Sequence, residues 1–482
     1  MFDRETCNPQ ERRLRILVAI ANFGSGNRDF LDRLLDEYRQ MRFDLDIVVL
    51  SNVPKDLGPN IEVVVGLPTK NPRSLPFAHR PLFADRIHQY DLFIYSEDDT
   101  LITERNIEAF LDANATLMDD EIAGFLRQEA SEDGRVFIST VHSHFHWDVR
   151  SLRSRGGRTY ARFTNEHSAC FILTRSQLRR AIDSGGFLVP PHEGRYAMLE
   201  TAATDPYTQC GFVKLLCVSH PQEFIVRHLP NKYIGRMGIE VSEFHRQLER
   251  LREIGSDGFA GTELLTAESK LPGMPWSKNY FEPCRRELLA TIPAEVQTAL
   301  SLGCGWGETE RVLSERGVQV VGLALDPVIA VSAKLRGVET VCGGFSEARA
   351  ALRDRRFDCV LALNILHLVP DPVGLLRLFV ELMSKDGICV LTVPNFMRLP
   401  MLWKRARRLG GYQHIGDFDR SGLQMTTARR LRTWLARSGL RVERVDWLVP
   451  QRFERYRALT FGLVDELLAS DLVVFARRQS CH

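Results

Sequence analysis

Short apolar runs recur along the chain, each followed by a stretch whose apolar residues fall three or four apart. Leu14-Arg-Ile-Leu-Val-Ala-Ile-Ala21 is the first run, bounded by the turn-rich Asn22-Phe-Gly-Ser-Gly-Asn27. Phe30, Leu31, Leu34, Leu35 and Tyr38 then mark one face of a helix from Phe30 to Met41. Further strands are predicted at Leu45–Ser51, Ile61–Gly66 and Asp91–Tyr95, and a helix over Tyr207–Leu216. This rhythm predicts an α/β sheet with parallel strands. A second alternation starts at Glu295, with strands at Val296–Leu302, Val318–Leu325, Phe357–Leu363 and Gly387–Val393. Two more strands, Arg441–Leu448 and Leu472–Arg477, close it. Between the halves, Ser256-Asp-Gly and Leu271-Pro-Gly-Met-Pro275 carry turn residues. The expected division is a domain over 1–252, a linker over 253–284 and a different domain over 285–482.

Composition narrows the class. The 482 residues, 44% hydrophobic and 26% charged, suit a globular chain of two or three domains. With 63 basic and 61 acidic residues the net charge is +2, so no global field marks a nucleic-acid partner. The 10 cysteines include no C-x-x-C pair, which favours buried thiols over a disulfide framework or a zinc finger. Met1–Gln10 is polar, and no run of ~18 apolar residues could span a bilayer. The expectation is a cytoplasmic protein.

The first chemical signal is Asp91-Leu-Phe-Ile-Tyr-Ser-Glu-Asp-Asp99, an apolar strand that ends in three acids. Open α/β sheets bind ligands beyond the carboxyl ends of their strands. Three carboxylates there repel one another unless a cation intervenes, and a hard divalent metal can also bridge two phosphates. Downstream stand three further acids, Glu193, Glu200 and Asp205. His142-Ser-His-Phe-His146 puts three imidazoles on one face of an extended segment, which reads as an acceptor rim or a metal site.

Residues 12–250 resemble the GT-A-fold glycosyltransferases, which use nucleotide-sugar donors. The resemblance rests on Ala21-Asn22-Phe23 after the first strand, Val49-Leu-Ser-Asn52 after the second, and Tyr95-Ser-Glu-Asp-Asp99. It implies that Ala21, Asn22, Ser51, Glu97, Asp98 and Asp99 border the nucleotide-sugar. It also implies that Asp99, Glu97 and His228 hold a divalent metal (Mn2+ or Mg2+), and that Glu193, Glu200 or Asp205, with Glu200 favoured, is the general base toward a hydroxyl acceptor. Here the triplet is Glu-Asp-Asp rather than Asp-x-Asp.

The second signal is Ser301-Leu-Gly-Cys-Gly-Trp-Gly307 between a strand and a helix, where glycines let the backbone approach a ligand. With Leu363-Asn-Ile-Leu-His-Leu-Val-Pro-Asp-Pro372 and Val393-Pro-Asn395 it resembles the class I S-adenosylmethionine-dependent methyltransferases over about 280–480. The resemblance assigns Gly303, Cys304, Gly305, Gly307, Asp326, Asn364 and His367 to the cofactor. Three positions depart from it: Ser301 where an acid usually opens the motif, Ala324 where the ribose acid usually stands, and Gly343-Gly344 where Gly-Asp usually meets the adenine. Asp326, two residues beyond Ala324, shares its strand face and is the expected substitute. Met397–Leu409 mixes cations with apolar residues, as a helix on an anionic membrane or one covering the site would.

The fold expected is therefore a GT-A-type domain followed by a Rossmann-like methyltransferase domain. The function expected is bifunctional glycan assembly, a sugar transferred to a hydroxyl and a glycan methylated. A glycosyltransferase whose second half is only a scaffold or acceptor-binding module is the alternative. The partners expected are a nucleotide-sugar and a glycan or lipid-linked glycan, with peripheral membrane contact.

Overall fold

The computed structural model describes residues 13–139, 145–234, 238–257, 263–460, 462 and 464–479. The chain forms two compact units, one of residues 1–141 and 151–244, the other of 142–150 and 245–482. The segment expected as a linker, 253–284, thus groups with the second unit, and its Leu264, Leu271 and Tyr280 are buried.

The main sheet of the first unit contains β1 (Arg15–Asn22), β2 (Asp44–Ser51), β3 (Ile61–Val65), β4 (Leu92–Glu97) and β5 (Cys170–Thr174). Their order is β5-β4-β1-β2-β3, with β5 antiparallel to β4 and the others parallel. Sequence predicts these parallel strands because a strand covered on both faces reads as an unbroken apolar run. Ile16 to Ile20 of the central strand are fully buried. Helix α1 (Arg28–Gln40) buries Leu31, Leu34, Leu35 and Tyr38 on one face. At the end of β4, Thr100–Leu101 pairs with Ile225–His228, which pairs in turn with Leu126–Ala130.

The expected helix over Tyr207–Leu216 is replaced by α2 (Met198–Thr208) and a strand, Val213–Cys217. Gly211, at φ +79°, breaks the chain between them; Val213–Leu215 then pair with Glu121–Ala123, and the buried Leu216 and Cys217 with Ala161 and Tyr160.

The second unit has one sheet of seven strands: β6 (Thr298–Cys304), β7 (Gln319–Ala324), β8 (Glu339–Val341), β9 (Phe357–Leu363), β10 (Met383–Pro394), β11 (Leu440–Leu448) and β12 (Asp471–Arg478). The order is β8-β7-β6-β9-β10-β12-β11. The first five are parallel, and β12 runs antiparallel to both its neighbours. The reversal in strand order falls at β6, so its carboxyl end is the switch point where such sheets bind ligands. Among the described residues, no helix is long and apolar enough to cross a membrane.

Candidate functional site

In the first unit the acids at the end of β4 have distinct partners. Asn22 Nδ2 donates to Asp98 Oδ2 at 2.5 Å, and Asn27 Nδ2 donates to Oδ1 at 2.8 Å. Burial pushes the Asp98 carboxyl up to about 6 against the opposing pull of these amides. Asp99 Oδ2 lies 3.4 Å from His228 Nε2 and 3.9 Å from Lys232 Nζ. The strand pairing explains this, because His228 sits opposite Thr100 and beside Asp99. Burial alone would raise the Asp99 carboxyl, but His228, Lys232 and Arg127 outweigh it and hold it below the usual range. On the other side of the imidazole, His228 Nδ1 is 2.5 Å from Glu129 Oε1, whose Oε2 accepts from the Tyr233 amide at 2.9 Å. Burial depresses His228, yet its two carboxylate neighbours raise it overall. Glu97 is less well answered. Burial, then repulsion from Asp99, pushes it up to about 8, with Arg127 opposing.

These groups border a cavity of about 310 Å³ lined by Ala21, Asn27, Arg73, Glu97, Asp98, Asp99 and Leu199. Several expectations need correction. Ser51 is fully buried, its hydroxyl accepting from the Val53 amide, and does not line this cavity. Asn22 is buried and bonded to Asp98. Among the described residues, no three His, Cys, Asp or Glu side chains are arranged to hold a metal ion, so Glu97, Asp99 and His228 are not assembled as a metal site. The physical reason is that His228 and Lys232 already neutralise Asp99 and Glu129 holds the far side of His228. The residues present do not by themselves fit the expected metal.

Of the candidate bases, Asp205 is fully buried and paired with Arg80 Nη2 at 2.6 Å, so it is a structural anchor. Glu193 is exposed in a loop. Glu200, in the first turn of α2, has a buried Oε2 with no hydrogen-bond partner, and its charge reaches Glu97. Of the histidine triplet, His142 and His144 lie outside the described residues. His146 stacks on Tyr280 with ring centroids 4.2 Å apart and planes within 6°.

In the second unit, β6 ends in the glycine loop and α3 (Glu308–Glu315) begins directly after Gly307. Gly303 and Gly307 have φ of +76° and +88°, a region that favours glycine. A Cβ on Gly305 would lie 2.3 Å from the Tyr280 carbonyl oxygen, which accepts from the Trp306 amide at 2.9 Å. Cys304 is a buried thiol whose titration burial pushes up. The Ser301 hydroxyl donates to Glu310 Oε1 at 2.6 Å, so α3 brings a carboxylate to the position where the loop's acid is missing.

Asp326 is not placed as a ribose ligand. Strand β7 stops at Ala324, and the Asp326 Oδ1 accepts from the amides of Val328 and Ile329 at 2.7 and 2.8 Å. It is a buried cap on the turn that follows, and burial pushes it up to about 7. Ala324 itself is fully buried.

Beside the loop, Asn364 and His367 follow β9 and line a cleft of about 510 Å³ with Trp276, Glu282, Arg285 and Asp471. Asn364 adopts φ +53°, held by its amide donating to the Thr392 carbonyl at 2.9 Å and its Nδ2 donating to Glu282 Oε1 at 3.0 Å. Glu282 also meets Lys278 and Arg285, both at 2.9 Å, and these cations hold it low despite its burial. His367 Nε2 is 2.8 Å from the Trp276 carbonyl, which accepts only, so Nε2 carries the proton. Burial lowers this imidazole to about 4 and keeps it neutral. Asp471 is raised by burial, with the Ser470 hydroxyl donating to it at 2.6 Å. Sequence reasoning missed Glu129, Tyr280, Glu282, Glu310 and Asp471, since none stands in a local motif.

Residues 276–445, which contain the loop, the cap and most of the cleft, match the family described as "Methyltransferase domain". This region is a class I S-adenosylmethionine-dependent methyltransferase domain. It is similar to the ubiquinone biosynthesis O-methyltransferase of Xanthomonas euvesicatoria, 28% identical over 184 residues, which are 35% of this chain and 73% of the relative. The enzyme of the same name from Psychrobacter arcticus is 29% identical over 103 residues, 20% of this chain and 40% of the relative. Among solved structures, an S-adenosylmethionine-dependent methyltransferase from Mesorhizobium loti is 21% identical with a TM-score of 0.30, covering 40% of this chain and 96% of that one. Magnesium protoporphyrin IX methyltransferase from Synechocystis is 15% identical with a TM-score of 0.30, covering 40% and 80%. In the methyltransferase domain the loop glycines stand where a side chain would collide with Ile365, the Tyr280 carbonyl or Ala333. The domain's ribose end offers no carboxylate at Ala324.

Removing one partner of a buried ion pair leaves a charge in the interior. Asp205→Ala is therefore expected to cost about 3–5 kcal/mol of stability, read by denaturant unfolding. A variant as stable as the parent would return Asp205 to the list of chemical candidates.

Proposed function

We propose that the methyltransferase domain transfers a methyl group from S-adenosylmethionine to a hydroxyl of an acceptor in the cleft beside Asn364, His367 and Asp471. The observation that carries this reading is the juxtaposition of the glycine loop at the end of β6 with that polar cleft at the ends of β9 and β10. The match to O-methyltransferases supports a hydroxyl as the acceptor. Gly303, Cys304, Gly305 and Gly307 would hold the cofactor's methionine end, and the bound cofactor supplies an electrophilic sulfonium methyl. Asn364, fixed by Thr392 and Glu282, orients the acceptor side of the loop. His367 is too weak a base to take a proton at neutral pH, and its Nε2–H is held by the Trp276 carbonyl. Asp471, raised by burial, takes the hydroxyl proton.

Titration of S-adenosylmethionine into the full chain is expected to give saturable heat. No heat from the folded protein would favour the scaffold alternative for this domain. Asp471→Asn is expected to lower kcat by about 10²–10⁴-fold with cofactor binding unchanged. An unchanged kcat would remove Asp471 as the base.

For the first unit we propose glycosyl transfer from a nucleotide-sugar to a glycan hydroxyl. What supports it is the cavity at the end of β4, where Glu97, Asp98 and Asp99 face Ala21 and Arg73, with the unpartnered Oε2 of Glu200 in the adjoining helical turn. Glu200 would serve as the base toward the acceptor. A nucleoside diphosphate is expected to raise the melting temperature, and Arg73→Ala, which removes the cation lining that cavity, to reduce the rise. No shift with any common nucleoside diphosphate would overturn the reading.

A further inference from the structure

Helix α4 (Leu399–Ala406) leaves the end of β10 and buries none of its residues. Leu399 and Trp403, four residues apart on one helix face, are 58% and 53% exposed, and Leu409 just beyond is 44% exposed. A water-facing helix normally carries polar residues in such positions, so three exposed bulky apolar groups in eleven residues form a patch that wants a cover. The same stretch, Met397 to Leu409, holds Arg398, Lys404, Arg405, Arg407 and Arg408 and no acid.

Among the described residues, Lys404, Arg405, Arg407 and Arg408 form no salt bridge with a carboxylate, while Arg398 acts on Asp471. Lys404 Nζ donates to the Tyr412 hydroxyl at 3.2 Å and lies over its ring. Arg405 Nη1 contacts Met425 Sδ at 3.2 Å, and Arg407 lies 5.3 Å from the Trp403 ring centroid. Arg430, on the neighbouring helix α5 (Ala428–Arg437), donates to the Met425 carbonyl at 3.5 Å. Its charge acts on Arg405, whose guanidinium is lowered first by burial and then by this like neighbour. Surplus positive charge around exposed Trp and Leu is the chemistry of an anionic bilayer surface, where the apolar groups enter the headgroup boundary and each cation meets a lipid phosphate.

Topology places this helix at the cleft's edge. Pro394, from which the α4 segment departs, pairs with Asp471 across β10 and β12, and both residues line the cleft. We propose that α4 and its flanking arginines dock the methyltransferase domain on an anionic membrane surface, so that the cleft opens beside the bilayer and can take an acceptor anchored in it. Docking is independent of whether the domain transfers a methyl group, and its test reads lipid binding alone.

The full chain is mixed with phosphatidylcholine vesicles with and without phosphatidylglycerol, and bound protein is sedimented. Binding is expected only with phosphatidylglycerol and is expected to fall as salt rises. Substituting Arg407→Gln together with Arg408→Gln is expected to weaken binding roughly 30-fold, from about 1 kcal/mol for each cation near the surface. Trp403→Ala is expected to weaken it and to remove quenching of tryptophan fluorescence by bromolipid. All these side chains are exposed, and an unchanged circular-dichroism melt identifies variants that still fold. Absent binding to both vesicles, equal binding to both, or binding insensitive to the arginine pair would overturn the proposal. A dimer in solution that dissociates on Trp403→Ala would also overturn it, by assigning the face to a second copy.

Discussion

A carboxylate withdrawn from water has to be answered by a donor or a cation, and which group answers each one decides what the acids of this chain can do. Asp205 is answered by Arg80, and that pair anchors α2. Asp98 is answered by two asparagine amides, Asp326 by two backbone amides, and Glu282 by Lys278 and Arg285. Such fully satisfied groups shape loops and hold neighbours in place, but they have little left to offer a ligand. Glu97, Glu200 and Asp471 are different, because repulsion from Asp99 adds to burial at the first, the second keeps a bare oxygen, and the third has the Ser470 hydroxyl as its donor. The groups available for chemistry are those that the fold leaves incompletely satisfied.

Much of the architecture is legible along the chain because parallel strands buried on both faces leave no polar position to interrupt them. Ile16–Ile20 and Cys359–Leu363 read as strands for that reason. Glycine in the loop after Leu302 is legible too, since few other residues take its dihedral angles. The failures occur where periodicity stops. Asp326 shares a face with Ala324 only if the strand continues, and it ends at Ala324, so the alternation that would aim the carboxylate at a ribose no longer applies. What remains is an acid before Pro327 that accepts amides two and three residues on, a local turn preference. The helix expected over Tyr207–Leu216 failed because Gly211 and a buried pairing to Glu121–Ala123 outweigh local helical spacing. Glu129 was invisible for another reason. It meets His228 across 99 residues of sequence, and only the sheet brings the two together.

The methyltransferase domain also shows that a missing motif residue need not leave its place bare. Ser301 has no carboxyl of its own, yet its hydroxyl is bonded to the carboxyl of Glu310 from the following helix. Nothing comparable compensates Ala324, since Asp326 is turned into its own cap. The two positions are therefore answered unequally: a carboxylate from the next helix meets Ser301, while none stands on β7 at Ala324.

That inequality bears on how the cleft could act. Methyl transfer from a sulfonium depends chiefly on holding the acceptor oxygen in line, so a weaker grip on the ribose affects occupancy before it affects the reacting geometry. The acceptor side is comparatively rigid, with Asn364 in a strained left-handed conformation fixed by Thr392 and Glu282. Within it, burial acts in opposite senses on two groups. Burial lowers His367 to about 4, which makes it neutral and nearly non-basic, whereas the same burial raises Asp471 and makes it a better base than a solvated carboxylate. A histidine following a strand is the residue a motif search selects, but in this cleft the desolvated aspartate at the start of β12 is the stronger base relative to its kind.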